Sequence, residues 1–283
     1  MISDRLPQNL LDKYHWLQQK LVEYGHVAVA YSGGVDSTLL LVVARVLLGD
    51  NVLGLIADSP SLPRRELREA TEIARKHNLP YVVLPTHEVE QEDYLRNPVD
   101  RCYFCKRELF TEFLDYARSH GFPYLLEGTN ADDAMDFRPG LQAIQELKVV
   151  SPLKEVGLHK QEIRQLAQAL GLENWDKPAQ ACLASRFPPG TRITLKALRQ
   201  VEAAEDFLLQ IGFRVVRVRY HGKLARIEVG EEEISRLLRK NVRRVVTTHL
   251  RKLGFEQITV DLQGYRSGGR NVSPVSRKEA RHA

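Results

Sequence analysis

Six consecutive residues, Ser32-Gly33-Gly34-Val35-Asp36-Ser37, combine two glycines with two hydroxyls and one carboxylate. Glycines let a backbone turn tightly and bring its N–H groups close to an anion. The apolar run Val27–Tyr31 before them reads as a buried strand, and Ser37–Leu48 after them as a helix. A helix N-terminus placed there adds free donors and a favourable dipole. Ser32, Ser37 and Thr38 supply hydroxyls, while Asp36 suits either a helix cap or a bound magnesium ion. The Gly-Lys-Ser/Thr ending of a Walker A loop is missing, which excludes a kinase or GTPase loop of that kind.

Sulfur is the second chemistry. The chain has three cysteines, Cys102 and Cys105 in a CxxC and Cys182 much further on. An odd count argues against a disulfide framework. Three thiolates can hold a [4Fe–4S] cluster and leave one iron open. Zinc would want a fourth ligand, and no histidine stands at the usual spacing. A reactive thiol pair with a separate buried cysteine is the third reading. The last third of the chain adds Arg186, Arg217, Arg219 and Arg266. Arg217 and Arg219 are two apart on an expected strand and so share a face. They are either a solvated basic face or bidentate clamps for phosphate and carboxylate, with Glu205 and Glu228 able to orient them.

The elements that position these groups follow from periodicity. Helices are expected at Leu10–Tyr24, Arg64–His77, Lys106–His120 and Lys160–Leu170, with Cys102 in a loop. Strands are expected at Asn51–Ala57, Tyr81–Pro85 and Tyr124–Glu127. Strands alternating with helices imply an α/β fold with a parallel sheet covered on both faces. After about Arg186 the pattern changes. A helix at Leu195–Ile211 precedes strands at Val215–Tyr220 and Ala225–Val229 around the turn His221-Gly222. A helix at Glu231–Leu253 and a strand at Ile258–Leu262 complete a smaller α+β domain. The expected division is 1–185, 186–270 and a disordered basic tail, 271–283.

Bulk properties narrow the partners. The net charge of +5 over 283 residues is too weak for a broad nucleic-acid surface, so nucleic acid is not the expected partner. No apolar run spans a bilayer and the first ten residues hold no leader core, so a cytoplasmic location without membrane contact is expected.

The hexapeptide resembles the PP-loop of the N-type ATP pyrophosphatases, which cleave ATP between the α and β phosphates and transfer AMP to a substrate oxygen. That resemblance implies bound ATP and Mg²⁺. It gives Asp58 and Ser59 a place near the adenosine and Gly128 and Thr129 a place on the second nucleotide loop. Asp132 or Asp133 becomes a magnesium ligand beside Asp36. Sulfur transfer is a known task of that superfamily, which favours the cluster among the three cysteine readings.

Longer stretches resemble the LarE-type sulfur transferases of nickel-pincer nucleotide cofactor synthesis over nearly the whole chain. They include Asp136-Phe137-Arg138-Pro139-Gly140, Ser185-Arg186-Phe187-Pro188-Pro189-Gly190, Val216-Arg217-Val218-Arg219, Ala225-Arg226-Ile227-Glu228 and Gly264-Tyr265-Arg266-Ser267-Gly268. The resemblance implies adenylation of a pyridinium-3,5-biscarboxylate mononucleotide and its conversion to thiocarboxylates, with sulfide or another sulfur donor. Arg186, Glu205, Arg217, Arg219, Glu228 and Arg266 become substrate-binding residues, and a homo-oligomer is expected. One branch of that family sacrifices a cysteine that aligns with Ala181 here and lacks the CxxC. This chain is therefore similar to the branch in which three cysteines, here Cys102, Cys105 and Cys182, hold a catalytic [4Fe–4S] cluster. The alternatives are a tRNA thiolase, disfavoured by the few cysteines and weak charge, and an amide-forming NAD-synthetase-like enzyme, which leaves the cysteines unexplained.

Overall fold

The computed structural model describes residues 6–135, 139–178 and 181–266. The expected tail 271–283 and the motif residues Asp136, Phe137, Arg138, Ser267 and Gly268 lie outside them. The first elements are α1 (Gln8–Tyr24), β1 (Val27–Ala30), α2 (Val35–Leu48), β2 (Val52–Asp58), α3 (Arg64–Lys76) and β3 (Tyr81–Pro85). They are followed by α4 (Glu92–Leu95), α5 (Arg101–Ser119), β4 (Tyr124–Leu126), α6 (Pro139–Glu146), α7 (Pro152–Glu155) and α8 (Lys160–Ala169). The chain closes with α9 (Leu195–Gln210), β5 (Val216–His221), β6 (Leu224–Val229), α10 (Ile234–Leu237), α11 (Lys240–Lys252) and β7 (Gln257–Val260).

These elements fall into two units. The first comprises Met1–Gln91 and Asp100–Ala181, the second Glu92–Val99 and Cys182–Ala283. The expected division at 185/186 did not foresee that the short stretch Glu92–Val99 would join the second unit.

In the first unit four parallel strands lie in the order β3-β2-β1-β4. The central strand reads Val-Ala-Val-Ala because both its faces are covered. Val27 and Val29 pack with leucines of α1, α2 and α8, and Ala28 packs with Phe110, Phe113 and Leu114 of α5. Gly54 of β2 is required by the same closeness, since a Cβ there would lie 2.9 Å from a Leu41 methyl. All four strands end on one side of the unit. The loops that follow them there are 31–34, 59–63, 86–91 and 127–133, the carboxyl edge where ligands bind in open parallel sheets.

Two expected elements differ. Helix α5 begins at Arg101, not Lys106, so the CxxC lies on its first turns rather than in a loop. The Tyr103 N–H donates to the Asp100 carbonyl at 2.8 Å, and the Tyr103 hydroxyl donates to Glu146 at 2.7 Å, which closes this turn against α6. Glu231–Leu253 is not one helix but a 3₁₀ turn, α10 and α11, broken at Leu238-Arg239 where Arg239 leaves helical geometry at ψ 137°.

In the second unit β5 and β6 form an antiparallel hairpin, closed at Gly222 with φ +68°, and β7 adds parallel to β6. Val216, Val218, Ala225, Ile227 and Val229 face a core with Ala204 and Leu208 of α9 and Val246 and Leu250 of α11. The alternate positions, Arg217, Arg219, Arg226 and Glu228, therefore lie on the other face. Glu92–Val99 is stitched to Phe187–Ile193. Asn97 Nδ2 donates to the Pro188 carbonyl at 2.8 Å, Gly190 N–H to Asn97 O at 2.8 Å, and Ile193 N–H to Leu95 O at 2.9 Å. Glu92 receives both Arg192 nitrogens at 2.6 and 2.9 Å, and these hydrogen bonds hold its carboxyl down to about 2. Among the described residues no helix is long and apolar enough to cross a membrane.

Candidate active site

The loop after β1 is built as an anion cradle. Helix α2 starts at Val35 with Gly34 as its cap residue and no side-chain cap, so its first N–H groups face outward uncapped. Gly33 adopts φ +71°, and a Cβ there would lie 2.7 Å from the Ala70 Cβ of α3. Glycine is thus demanded twice, by the dihedral and by the close approach. Ser32 and Ser37 hydroxyls stand 3.1 Å apart, and Ser37 Oγ also accepts the Ser32 N–H at 3.2 Å. Thr38, expected beside the phosphates, is fully buried; its Oγ1 accepts from Asn174 at 2.9 Å, which puts it beneath the loop.

The loop after β4 crosses the start of α2. A Cβ on Gly128 would lie 3.1 Å from Ser37 N and 3.2 Å from the Asp36 Cβ. Glu127, buried, accepts the Thr129 N–H at 3.0 Å and hydroxyl at 2.8 Å and also binds Ser151, which fixes this loop from inside. Asn130 Nδ2 lies 3.4 Å from Asp36 Oδ1, and Lys160 Nζ donates to Asp36 Oδ2. A cation therefore already accompanies Asp36. Asp132 is otherwise engaged. It accepts from His159 Nδ1 at 2.6 Å and from the Lys160 N–H at 2.7 Å, so it anchors the start of α8. The His159 bond, then the backbone N–H, holds its carboxyl below the usual range. Asp133 accepts the Asn130 N–H at 3.0 Å. Asp132 and Asp133, the alternatives expected beside Asp36 for magnesium, each accept a backbone N–H of the loop or of α8.

Asp58 and Ser59 end β2 and are organised by Arg64, which donates to the Asp58 carboxylate and to the Ser59 carbonyl. Ser59, Ser61 and Thr86 hydroxyls all meet Glu88, whose side chain is buried. Nearby Glu108 takes the His87 N–H at 2.6 Å. Burial, then the charges of Glu112 and Glu88, push its carboxyl up to about 7.

Cys102 and Cys105 lie three residues apart on α5, so their side chains are neighbours on one face, Cys102 exposed and Cys105 half-buried. Cys182, also a free thiol, belongs to the second unit, just before the 3₁₀ turn Leu183–Arg186. Among the described residues no group of three or more His, Cys, Asp or Glu forms a metal site.

Three of the expected arginines, Arg186, Arg217 and Arg219, are buried rather than part of a solvated face. Arg186 and Glu205 pair through two bonds of 2.9 Å, both side chains fully buried. Burial opposes ionisation of Glu205, and the Arg186 charge outweighs it, so the carboxyl stays below its ordinary value. Arg219 pairs with Glu228 at 2.9 and 2.7 Å and donates to the Ser185 carbonyl at 3.1 Å. Arg217 lies 4.8 Å over the Tyr265 ring. Its cation is disfavoured by burial and then by the Arg186 charge, the condition that an anionic ligand relieves. Arg266 follows Tyr265 and is exposed.

Sequence reasoning missed Lys160, His159, Asn174 and Glu88. The start of α8 carried a readable signal, a Glu162 that reaches back to the His159 N–H at 2.8 Å in a capping box. A lone asparagine after a helix and a glutamate after a strand carry none.

No family model matches the chain. It is 42% identical over 262 residues to an uncharacterized protein of Synechocystis sp., covering 93% of this chain and 98% of that protein. It is 39% identical over 264 residues to the pyridinium-3,5-bisthiocarboxylic acid mononucleotide synthase of Lactiplantibacillus plantarum, covering 93% and 95%. Over 163 residues, 52% of each chain, it is 28% identical to a glutamine-hydrolyzing GMP synthase subunit of Thermoplasma volcanium. A parallel sheet, a glycine cradle without a lysine and this partial likeness define a PP-loop protein. Within that class, the full-length likeness decides the matter: the chain belongs to the pyridinium-3,5-bisthiocarboxylic acid mononucleotide synthase family, the LarE family.

Proposed function

We propose that this protein is an ATP-dependent, AMP-forming sulfurtransferase that converts the carboxylates of pyridinium-3,5-biscarboxylic acid mononucleotide to thiocarboxylates in nickel-pincer cofactor synthesis. The observation that carries the reading is the 39% identity over 93% of the chain to the synthase of that name. The uncapped start of α2 beside Ser32, Ser37 and Lys160 supports it chemically, because it offers donors and positive charge to a pyrophosphate.

A substrate carboxylate oxygen attacks the α-phosphorus of ATP, the bond to the β-phosphate bridge breaks, and pyrophosphate leaves. The acyl adenylate then loses AMP to a sulfur nucleophile. Ser32, Gly33, Gly34, Ser37 and Lys160 bind the leaving pyrophosphate. Asp58, Ser59, Gly128 and Thr129 bound the nucleotide pocket. Asp36 is the residue best suited to hold a magnesium ion, which would neutralise the phosphates. Arg217, Arg219 and Arg266 bind substrate anions, with Glu228 fixing the Arg219 guanidinium plane, while the expected clamp Arg186 is fully buried against Glu205 and serves the framework of this unit.

Cys102, Cys105 and Cys182 are the donor set we assign to a [4Fe–4S] cluster of the catalytic, non-sacrificial kind. The donor chemistry fits, since none of the three is in a disulfide and two are neighbours on α5. Such a cluster would supply sulfide at its open iron. The reaction is cytoplasmic, and a homo-oligomer is the expected state. Pyrophosphate and AMP release from ATP, with and without the mononucleotide, tests the activity. Release must require the mononucleotide and must be lost in Asp36→Ala. Retained release in that variant contradicts the loop assignment.

A further inference from the structure

Asn174 follows α8 in the chain and is only 4% exposed. Its Nδ2 donates to the Gly33 carbonyl at 3.0 Å and to Thr38 Oγ1 at 2.9 Å. One amide thus grips the phosphate loop at its turn and again on the first turn of α2. Tyr31, directly after β1, donates its hydroxyl to the Ala70 carbonyl at 3.0 Å. Tyr31 is pushed up to about 12, chiefly by burial, so it stays a neutral donor. Ala70 in turn is the residue against which Gly33 packs without a Cβ. Asn174, Thr38, Tyr31 and Ala70 make a buried bed beneath the loop.

The bed faces a specific weakness. The Gly33–Gly34 peptide has glycine on both sides, and Gly33 already sits at φ +71°. A peptide plane flanked by glycines rotates with little steric resistance. In a trans peptide the carbonyl and the next N–H lie in one plane and point in opposite directions. Holding the Gly33 carbonyl down into the protein therefore turns the Gly34 N–H to the loop's hydroxyl side, where it donates a long bond of 3.4 Å to Ser32 Oγ that an incoming phosphate oxygen would replace. Among the described residues Asn174 Oδ1 has no hydrogen-bond partner, so its donor side alone makes the contact.

We propose that Asn174 is a positioning residue that locks the Gly33–Gly34 peptide plane, so that the Gly34 N–H faces the pyrophosphate of ATP. The inference rests on the ATP-using reading and adds to it a residue that never meets the nucleotide. It predicts selectivity. A wrongly turned plane weakens whatever the β and γ phosphates contact, and leaves the adenosine side untouched.

Calorimetric titration of the full chain with ATP, inorganic pyrophosphate and AMP tests this, with melting temperature as a control. Asn174→Ala removes the donor. Asn174→Asp keeps the size but sets a carboxylate against the Gly33 carbonyl. In each we expect at least about tenfold weaker ATP and pyrophosphate binding, one lost positioned hydrogen bond, with AMP changed by less than about twofold. Thr38→Ser, which keeps the hydroxyl, should retain the wild-type ATP-to-AMP ratio. If Asn174→Ala does not fold, Asn174→Asp carries the test. Equal weakening of ATP and AMP, or unchanged ATP binding in a folded variant, overturns the proposal. Wild-type protein that binds neither ATP nor pyrophosphate overturns the ATP-using reading, and the proposal with it.

Discussion

Arg186 and Glu205 face each other through two parallel bonds of 2.9 Å, and neither side chain reaches solvent. Glu205 Oε1 also accepts the Val218 N–H at 2.9 Å, so one carboxylate joins α9, the Ser185-Arg186 turn and the edge of β5. Removing one partner of a buried pair leaves the other charge uncompensated. Glu205→Ala should destabilise the protein by about 3–5 kcal/mol, read from the urea midpoint. A variant within about 1 kcal/mol of wild type would contradict the closed geometry of this pair.

Arg217 donates to the Val216 carbonyl at 2.7 Å and lies within the influence of the Glu205 charge. It rests on Tyr265 in a setting where burial and then Arg186 disfavour its charge. Arg217→Ala should raise the KM for the mononucleotide at least about tenfold, the loss expected for a charge-assisted contact, and leave that for ATP nearly unchanged. Equal changes in both KM values would show that it does not act on the substrate alone.

Lys160 reaches Asp36 from the first residue of α8, held there by the Asp132 contact to its own N–H. When phosphates enter, an ammonium in this place attracts them. Lys160→Ala should weaken ATP at least about tenfold while AMP binding holds, since a hydrogen bond to a charged group contributes about 1.5–3 kcal/mol. Unchanged ATP affinity would restrict Lys160 to pairing with Asp36.

Much of this was legible in the sequence. The strand–glycine–helix signal located the phosphate loop because local chemistry alone dictates it, and the alternation of β5 put Arg217 and Arg219 on one face. The start of α5 was not legible, since its first turns meet a partner, Glu146, that lies 43 residues from Tyr103 in the chain. Nor was the bed under the loop, because Asn174 meets Gly33 141 residues along the chain. The arginines' burial escaped the sequence for the same reason. Guanidinium looks solvated until its carboxylate partner, on another element, is known.

Glu108 gives a pH signature. Unfolded, it ionises near its ordinary 4.5; folded, burial keeps it protonated up to about 7. The fold therefore holds a proton that the unfolded chain has released, and stability contributed by this group falls as pH rises through that window. Glu108→Gln removes the titration. Its melting temperature relative to wild type should be higher at pH 8 than at pH 5. Because the side chain is only half-buried, the gain should be smaller than full linkage would give. An equal difference at both pH values would mean that Glu108 ionises normally.

If the enzyme works as proposed, ATP cleavage at the α-phosphate drives sulfur onto the mononucleotide. Mass spectrometry of the product, with AMP counted in the same reaction, reads it directly. Anaerobic protein, ATP, Mg²⁺, sulfide and pyridinium-3,5-biscarboxylic acid mononucleotide should yield a product in which sulfur replaces oxygen in the carboxylates, with one AMP per sulfur inserted and turnover continuing while sulfide lasts. An unchanged mononucleotide, or ADP in place of AMP, would contradict the account.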